Sequence, residues 1–120
     1  MVLDLVDVLK VDKDCMDAEW RPHYLRLIIE TCGYYGVTVV WVKTCNSQHK
    51  GVHYYIGIQP PVEAKFTNML QYLLGDDTQR VDHNRARIES GLNEWNKLFE
   101  LPNRRLRTVY RRTDALSKSF

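Results

Sequence analysis

A chain of 120 residues with 44% hydrophobic and 27% charged residues can close one hydrophobic core and not two, and has the balance of an ordinary globular protein. No apolar run approaches the ~18 residues of a membrane span, and Asp4 and Asp7 stand where a secretory leader needs a basic and then an apolar stretch, so we expect a cytoplasmic protein with no membrane partner. Three widely spaced cysteines, Cys15, Cys32 and Cys45, argue against a disulfide framework or a zinc-finger grouping, and the net charge of +2 conceals an acidic front end (six acids against two lysines over residues 1–19) and a basic last stretch.

In chain order, Val6–Val11 is rich in aliphatic and β-branched residues and reads as a short strand. Asp17 can cap a helix from about Ala18 to Cys32, with Tyr24, Leu25, Ile28, Ile29 and Cys32 on one face and Gly33 at its end. Val37–Thr44 is a strand, "NSQHKG" a turn, and Val52–Ile58 the returning arm of a hairpin. Pro60 and Pro61 are expected to stop that strand and open a helix from about Val62 to Leu74, closed by Gly75. A more polar helix follows, capped by Asp77 or Thr78. Then "EWNKLF" carries Trp95, Leu98 and Phe99 toward the core, and "RRLRTVYRR" alternates as a last strand. We expect one domain over residues 1–113 and a frayed tail over 114–120. The order β-α-β-β-α-α-β predicts an α+β fold of the RRM-like or ferredoxin-like kind, an antiparallel sheet with helices on one face and the other face open.

Alternation in the second hairpin strand turns Val52, Tyr54, Ile56 and Ile58 to the core, and His53, Tyr55, Gly57 and Gln59 to the open face, beside Trp41 and Lys43. Aromatic rings with an imidazole and a lysine can receive bases and phosphates. They are also ordinary cross-strand partners, so pattern alone leaves both readings open. The first strand ends in Asp12-x-Asp14, and period two puts both carboxylates on one side if the strand continues through them. Such a pair suits Mg2+ or Mn2+, which prefer oxygen ligands and bridge to phosphates.

A strand ending in DxD, a helix, a strand, and a small-residue turn before a strand histidine together resemble the catalytic core of the archaeo-eukaryotic primase superfamily, over roughly residues 6–58. The resemblance implies an RRM-like sheet, Asp12 and Asp14 as catalytic metal ligands, and Ser47, Lys50, Gly51 and His53 as nucleotide contacts, with His53 on the phosphates of a nucleoside triphosphate. No third acid on a late strand is evident; Asp76, Asp77 and Asp82 are the acids available. "LLGDDTQRVDHNRAR" followed by "WNKLF" is similar to small uncharacterised phage and archaeal-virus proteins, which implies a viral protein, and it is the primase resemblance that implies a role in replication.

The densest positive charge lies at Arg80, Arg85 and Arg87 and then at Arg104, Arg105, Arg107, Arg111 and Arg112. On a regular strand Arg105, Arg107 and Arg111 share one side opposite Leu106 and Tyr110, a pattern that suits phosphate contact as well as a charged edge strand. Asp82 and Arg85 can equally be a helix-surface pair, with Asp76 or Asp77 capping. Walker-type loops, GxGxxG, GxSxG and a two-histidine endonuclease strand are absent. Three functions remain: a primase-like nucleotidyltransferase, a non-catalytic module that holds single-stranded DNA or RNA or a protein partner on the same face, and a homodimer that buries this face in itself.

Overall fold

The computed structural model describes residues 5–14, 17–46, 51–98 and 105–113. Its elements are β1 (Leu5–Lys13), a 3-10 turn (Ala18–Trp20), α1 (Arg21–Tyr34), β2 (Thr38–Asn46), β3 (Val52–Glu63), α2 (Ala64–Leu73), α3 (Thr78–Glu89) and β4 (Arg107–Arg111). The four strands form one antiparallel sheet in the order β1-β3-β2-β4. Because β3 lies between β1 and β2, α1 joins two strands that run parallel to each other without touching. This is the split β-α-β unit of a ferredoxin-like α+β fold. β4 extends the sheet on the β2 side. Among the described residues no helix is long and apolar enough to cross a membrane.

Alternation sorts the sheet as expected. Leu9 and Val11 from β1, Val39 and Val42 from β2, and Val52, Tyr54, Ile56 and Ile58 from β3 are buried against Tyr24, Ile28 and Cys32 of α1 and against Leu70 and Leu74 at α2. Each large aliphatic side chain so buried stabilises the fold by about 1.5–3 kcal/mol. Tyr24 also donates its hydroxyl to the Leu74 carbonyl at 2.6 Å, which ties α1 to the end of α2. α3 packs on α2 and on none of the strands.

Several boundaries differ from the sequence expectation. α1 continues through Gly33 to Tyr34, and Gly36, at φ 79°, makes the left-handed turn instead. Val37 N–H then reaches back to the Cys32 carbonyl at 2.9 Å, the bond that closes such a helix end. β3 runs through Pro60 and Pro61 to Glu63 rather than stopping before them. The prolines sit where the β1 register skips between Val6 and Val8 and where β2 has already ended its pairing at Gln59, so the missing N–H groups remove no ladder bond. α2 therefore starts at Ala64, while Asp77 caps α3 by accepting from Arg80 N–H at 3.0 Å. Trp95 is buried, but residues 93–98 form no helix or strand. Phe99, Arg104 and the tail from Asp114 lie outside the described residues.

The outer side of β1 is closed by side chains. The N–H groups of Lys10 and Asp12, two residues apart and so aimed the same way, donate to Gln71 Oε1 and Asp76 Oδ1, each at 2.9 Å. Gln71 and Asn96 exchange two amide bonds at 3.1 and 2.7 Å. Asp76 also accepts from Asp77 N–H at 2.9 Å and pairs with Arg80 at 2.5 Å, and Arg80 reaches Asn96 at 2.7 Å. With the Asn84 amide oriented so that its nitrogen meets the Trp95 carbonyl, its oxygen takes a further Arg80 N–H at 3.1 Å. A buried polar network of this kind holds only if nearly every member is satisfied.

Candidate nucleic-acid interface

The face opposite the helices is organised in cross-strand rows. Asp12, His53 and Cys45 are register partners across β1, β3 and β2; Lys10, Tyr55, Lys43 and Thr108 form the next row; Val8 and Trp41 flank Gly57 in the third, with Arg111 opposite Trp41. Partners on adjacent strands share a face, so period two delivers those of β1, β2 and β3 to the same side, and a register skip in β4 brings Arg111 there together with Thr108.

The first row is not an open contact surface. His53 is on the expected face but only 5% exposed, and its Nε2 lies 3.6 Å from Asp12 Oδ1. The imidazole expected to contact a nucleotide is thus largely withdrawn from solvent, beside the Asp12 carboxylate. β1 ends at Lys13, so Asp14 lies beyond the strand, exposed, and alternation does not lock it beside Asp12. Burial lifts the Asp12 carboxyl above its ordinary value of 3.8; the His53 imidazole opposes this, and the negative charges of Asp14 and Asp77 reinforce it. Asp76 is no spare metal acid, since its two oxygens are taken by backbone N–H groups and Arg80. Among the described residues no group of three His, Cys, Asp or Glu side chains is placed to hold a metal ion. Gly51 is buried at the start of β3, and Ser47 and Lys50 lie outside the described residues.

The second and third rows are accessible. Lys10, Lys43, Tyr55, Trp41 and Thr108 are half-buried, and Arg111 is exposed. The Trp41 indole lies across Gly57, where a Cβ would fall inside the ring. Glycine is thus required for the tryptophan to lie down on the sheet. Lys43 Nζ stands 4.9 Å from the Trp41 ring centroid, a cation–π distance. Val40, Trp41, Lys43, Thr108, Arg111 and Thr113 enclose a shallow hollow of about 320 Å3 at the β2–β4 side. Lys10 and the threonines were missed from sequence; Lys10 could have been found by counting back two residues from Asp12.

The arginines divide. Arg80, expected at the ligand, is 10% exposed at its side chain and bound to Asp76, a structural cation. Arg85 pairs with Asp82 at 2.7 Å on the outside of α3. Because α3 rests on α2, neither Arg85 nor Arg87 joins Trp41 and Lys43. In β4 the register skips at Val109, which puts Arg107 opposite Thr44 on the helix side and Arg111 opposite Trp41 on the open side. The expected row of Arg105, Arg107 and Arg111 is therefore split by a bulge, and Arg105 precedes the strand. A second groove, between α2 and α3, is lined by Met69, Tyr72, Val81 and Ile88, and both signs of charge rim it at Lys65, Asp82, Arg85 and Glu89. It shares only Arg85 with the expected site. Compared with protein-family models, curated proteins and solved structures, the chain matches none.

Proposed function

We propose that the protein binds single-stranded nucleic acid on the sheet face opposite its helices. The observation that carries this is the adjacency of Trp41, laid flat over Gly57, to Tyr55, Lys43 and Arg111 on three neighbouring strands. Flat aromatic surface accepts any base, while lysine and arginine meet the backbone phosphates. The composition of this face also favours nucleic acid over burial in a second copy, since desolvating Lys43 and Arg111 against their own images would bring like charges together. Fluorescence polarisation of labelled oligothymidylate and oligouridylate over a salt series tests the reading. Affinity should fall steeply with salt for the wild type, and Trp41→Ala should weaken it by about tenfold or more, as expected for losing one stacked base at 1–3 kcal/mol. A salt-independent affinity, or a Trp41→Ala variant that binds as the wild type does, refutes it.

One observation favours a second, catalytic form, metal-dependent nucleotidyl transfer in replication. Asp12 and His53 are register partners, and the Asp14 charge reaches Asp12. Two carboxylates, with no third acidic, histidine or cysteine donor grouped with them among the described residues, are a donor set for Mg2+ or Mn2+, ions that keep waters and take their remaining ligands from a nucleoside triphosphate. Asp12 and Asp14 would hold the ion, which would neutralise phosphate charge, and His53 would hold Asp12 in place. Calorimetric titration with Mn2+ and a nucleoside triphosphate should give heat for the wild type and none for Asp12→Asn; equal heats remove the catalytic form and leave the binding reading intact.

A further inference from the structure

We infer that Lys43 is a phosphate-operated latch on Trp41, so that the hollow at the β2–β4 side takes a nucleotide by its phosphate and turns away the bare nucleoside. The inference rests on the nucleic-acid reading of this face and adds to it a rule of selection. With Gly57 and the sheet beneath it, the indole has one face left for a base, and the Lys43 ammonium stands over the ring, 4.9 Å from its centroid. A base can stack on Trp41 only after that ammonium has moved.

What would move it lies in the same hollow. Arg111 is the register partner of Trp41, and Thr108 is that of Lys43; both line the hollow together with Thr113. A phosphate seated there gains a guanidinium and hydroxyl donors, and it offers Lys43 a charge-assisted hydrogen bond stronger than its contact with a π-face. The lysine stem is flexible enough to swing from ring to rim. Capture of the phosphate and uncovering of the ring are then one event. A nucleoside offers the ammonium no comparable partner and meets a covered platform. The volume of about 320 Å3 suits one nucleotide unit, at the small end of the ~300–1,000 Å3 range of small-molecule sites.

The test follows the Trp41 indole N–H by NMR, assigned with Trp41→Phe, while wild type, Lys43→Met and Lys43→Arg are titrated with adenosine monophosphate and with adenosine. Binding of oligothymidylate is measured in parallel. The wild type should prefer the monophosphate by about tenfold or more, as a charge-assisted contact implies. Lys43→Met, which keeps the stem without the charge, should lose most of that preference and bind adenosine better than the wild type does. Lys43→Arg should retain the preference. Equal affinities in the wild type, or an unchanged preference in Lys43→Met, overturn the latch even if oligothymidylate binds. If oligothymidylate fails to bind while the monophosphate still shifts Trp41 in a Lys43-dependent way, the latch stands and the wider reading of the face falls. If neither ligand binds, both fall.

Discussion

The two sides of this sheet use the same residue types to opposite ends. Beside β1, an arginine, an aspartate and three amides are consumed by one another and by the backbone, with Arg80 and Asp76 buried together. Beside β2 and β4, a lysine and an arginine stand next to an indole and leave donors toward the surface. Charge alone does not tell them apart. What separates the structural Arg80 from the surface cations Lys43 and Arg111 is that its carboxylate partner, Asp76, is buried with it.

The largest expected effect breaks the first side. Arg80→Met should destabilise the fold by about 3–5 kcal/mol, because it leaves the Asp76 carboxylate buried without its cation. Urea unfolding would show this as a lower midpoint, while any protein still folded binds oligothymidylate as before. A loss of binding without a loss of stability would place Arg80 at the ligand after all.

Next comes Gly57→Ala, which sharpens the second side. Its methyl group must push the Trp41 ring off the sheet, so stacking should weaken by about tenfold at a stability cost of only about 1 kcal/mol, the cost of one displaced, half-buried side chain. Polarisation and unfolding measured on one preparation separate the two effects. A variant that binds normally would mean that Trp41 need not lie flat.

A smaller contrast compares two exposed arginines. Arg111→Ala should reduce the slope of log affinity against log salt by about 0.7, one phosphate contact on a single strand, whereas Arg85→Ala should leave it unchanged. Equal slopes in the two variants would dissolve the distinction between the β4 and α3 arginines.

The smallest effect concerns Asp12. Its raised carboxyl pKa means that the folded chain binds that proton more readily than the unfolded chain does. The stability this group contributes is therefore present below about pH 4 and lost as pH climbs through the raised value. Asp12→Asn should accordingly gain on the wild type between about pH 4 and pH 7. A difference that stays constant over that window in urea unfolding at several pH values would show that burial does not govern this carboxyl.

Much of this was legible in the sequence. Period two sorted Tyr54 from Tyr55 and Ile56 from Gly57, helical spacing found Tyr24, Ile28 and Cys32, and the start of α3 was narrowed to neighbouring candidates of which Asp77 is the cap. The residues that closed the β1 side were not legible. A bond from Gln71 or Asp76 to a strand more than sixty positions earlier leaves no local period, and buried polar residues read as surface ones. Nor did the sequence disclose that one extra residue at Val109 would turn Arg107 and Arg111 to opposite faces, since a bulge is a property of pairing with β2 and not of β4 alone. The strand through Pro60 and Pro61 escaped for the same reason: proline forbids a ladder bond only where the neighbouring strand asks for one.

The capped N–H groups of Lys10 and Asp12 carry one more consequence. An edge strand with free backbone groups is a template on which any extended chain can pair, and it is where sheet proteins begin to aggregate. Gln71 and Asp76 occupy that template on β1, so strand addition at this edge would first have to break the network around Arg80. The opposite edge is β4, five residues long, bulged and flanked by Arg107 and Arg111. It is too short and too charged to recruit a second chain readily. The same polar cluster that spends an arginine on structure thereby keeps a sheet whose second face carries no helix among the described residues from propagating sideways.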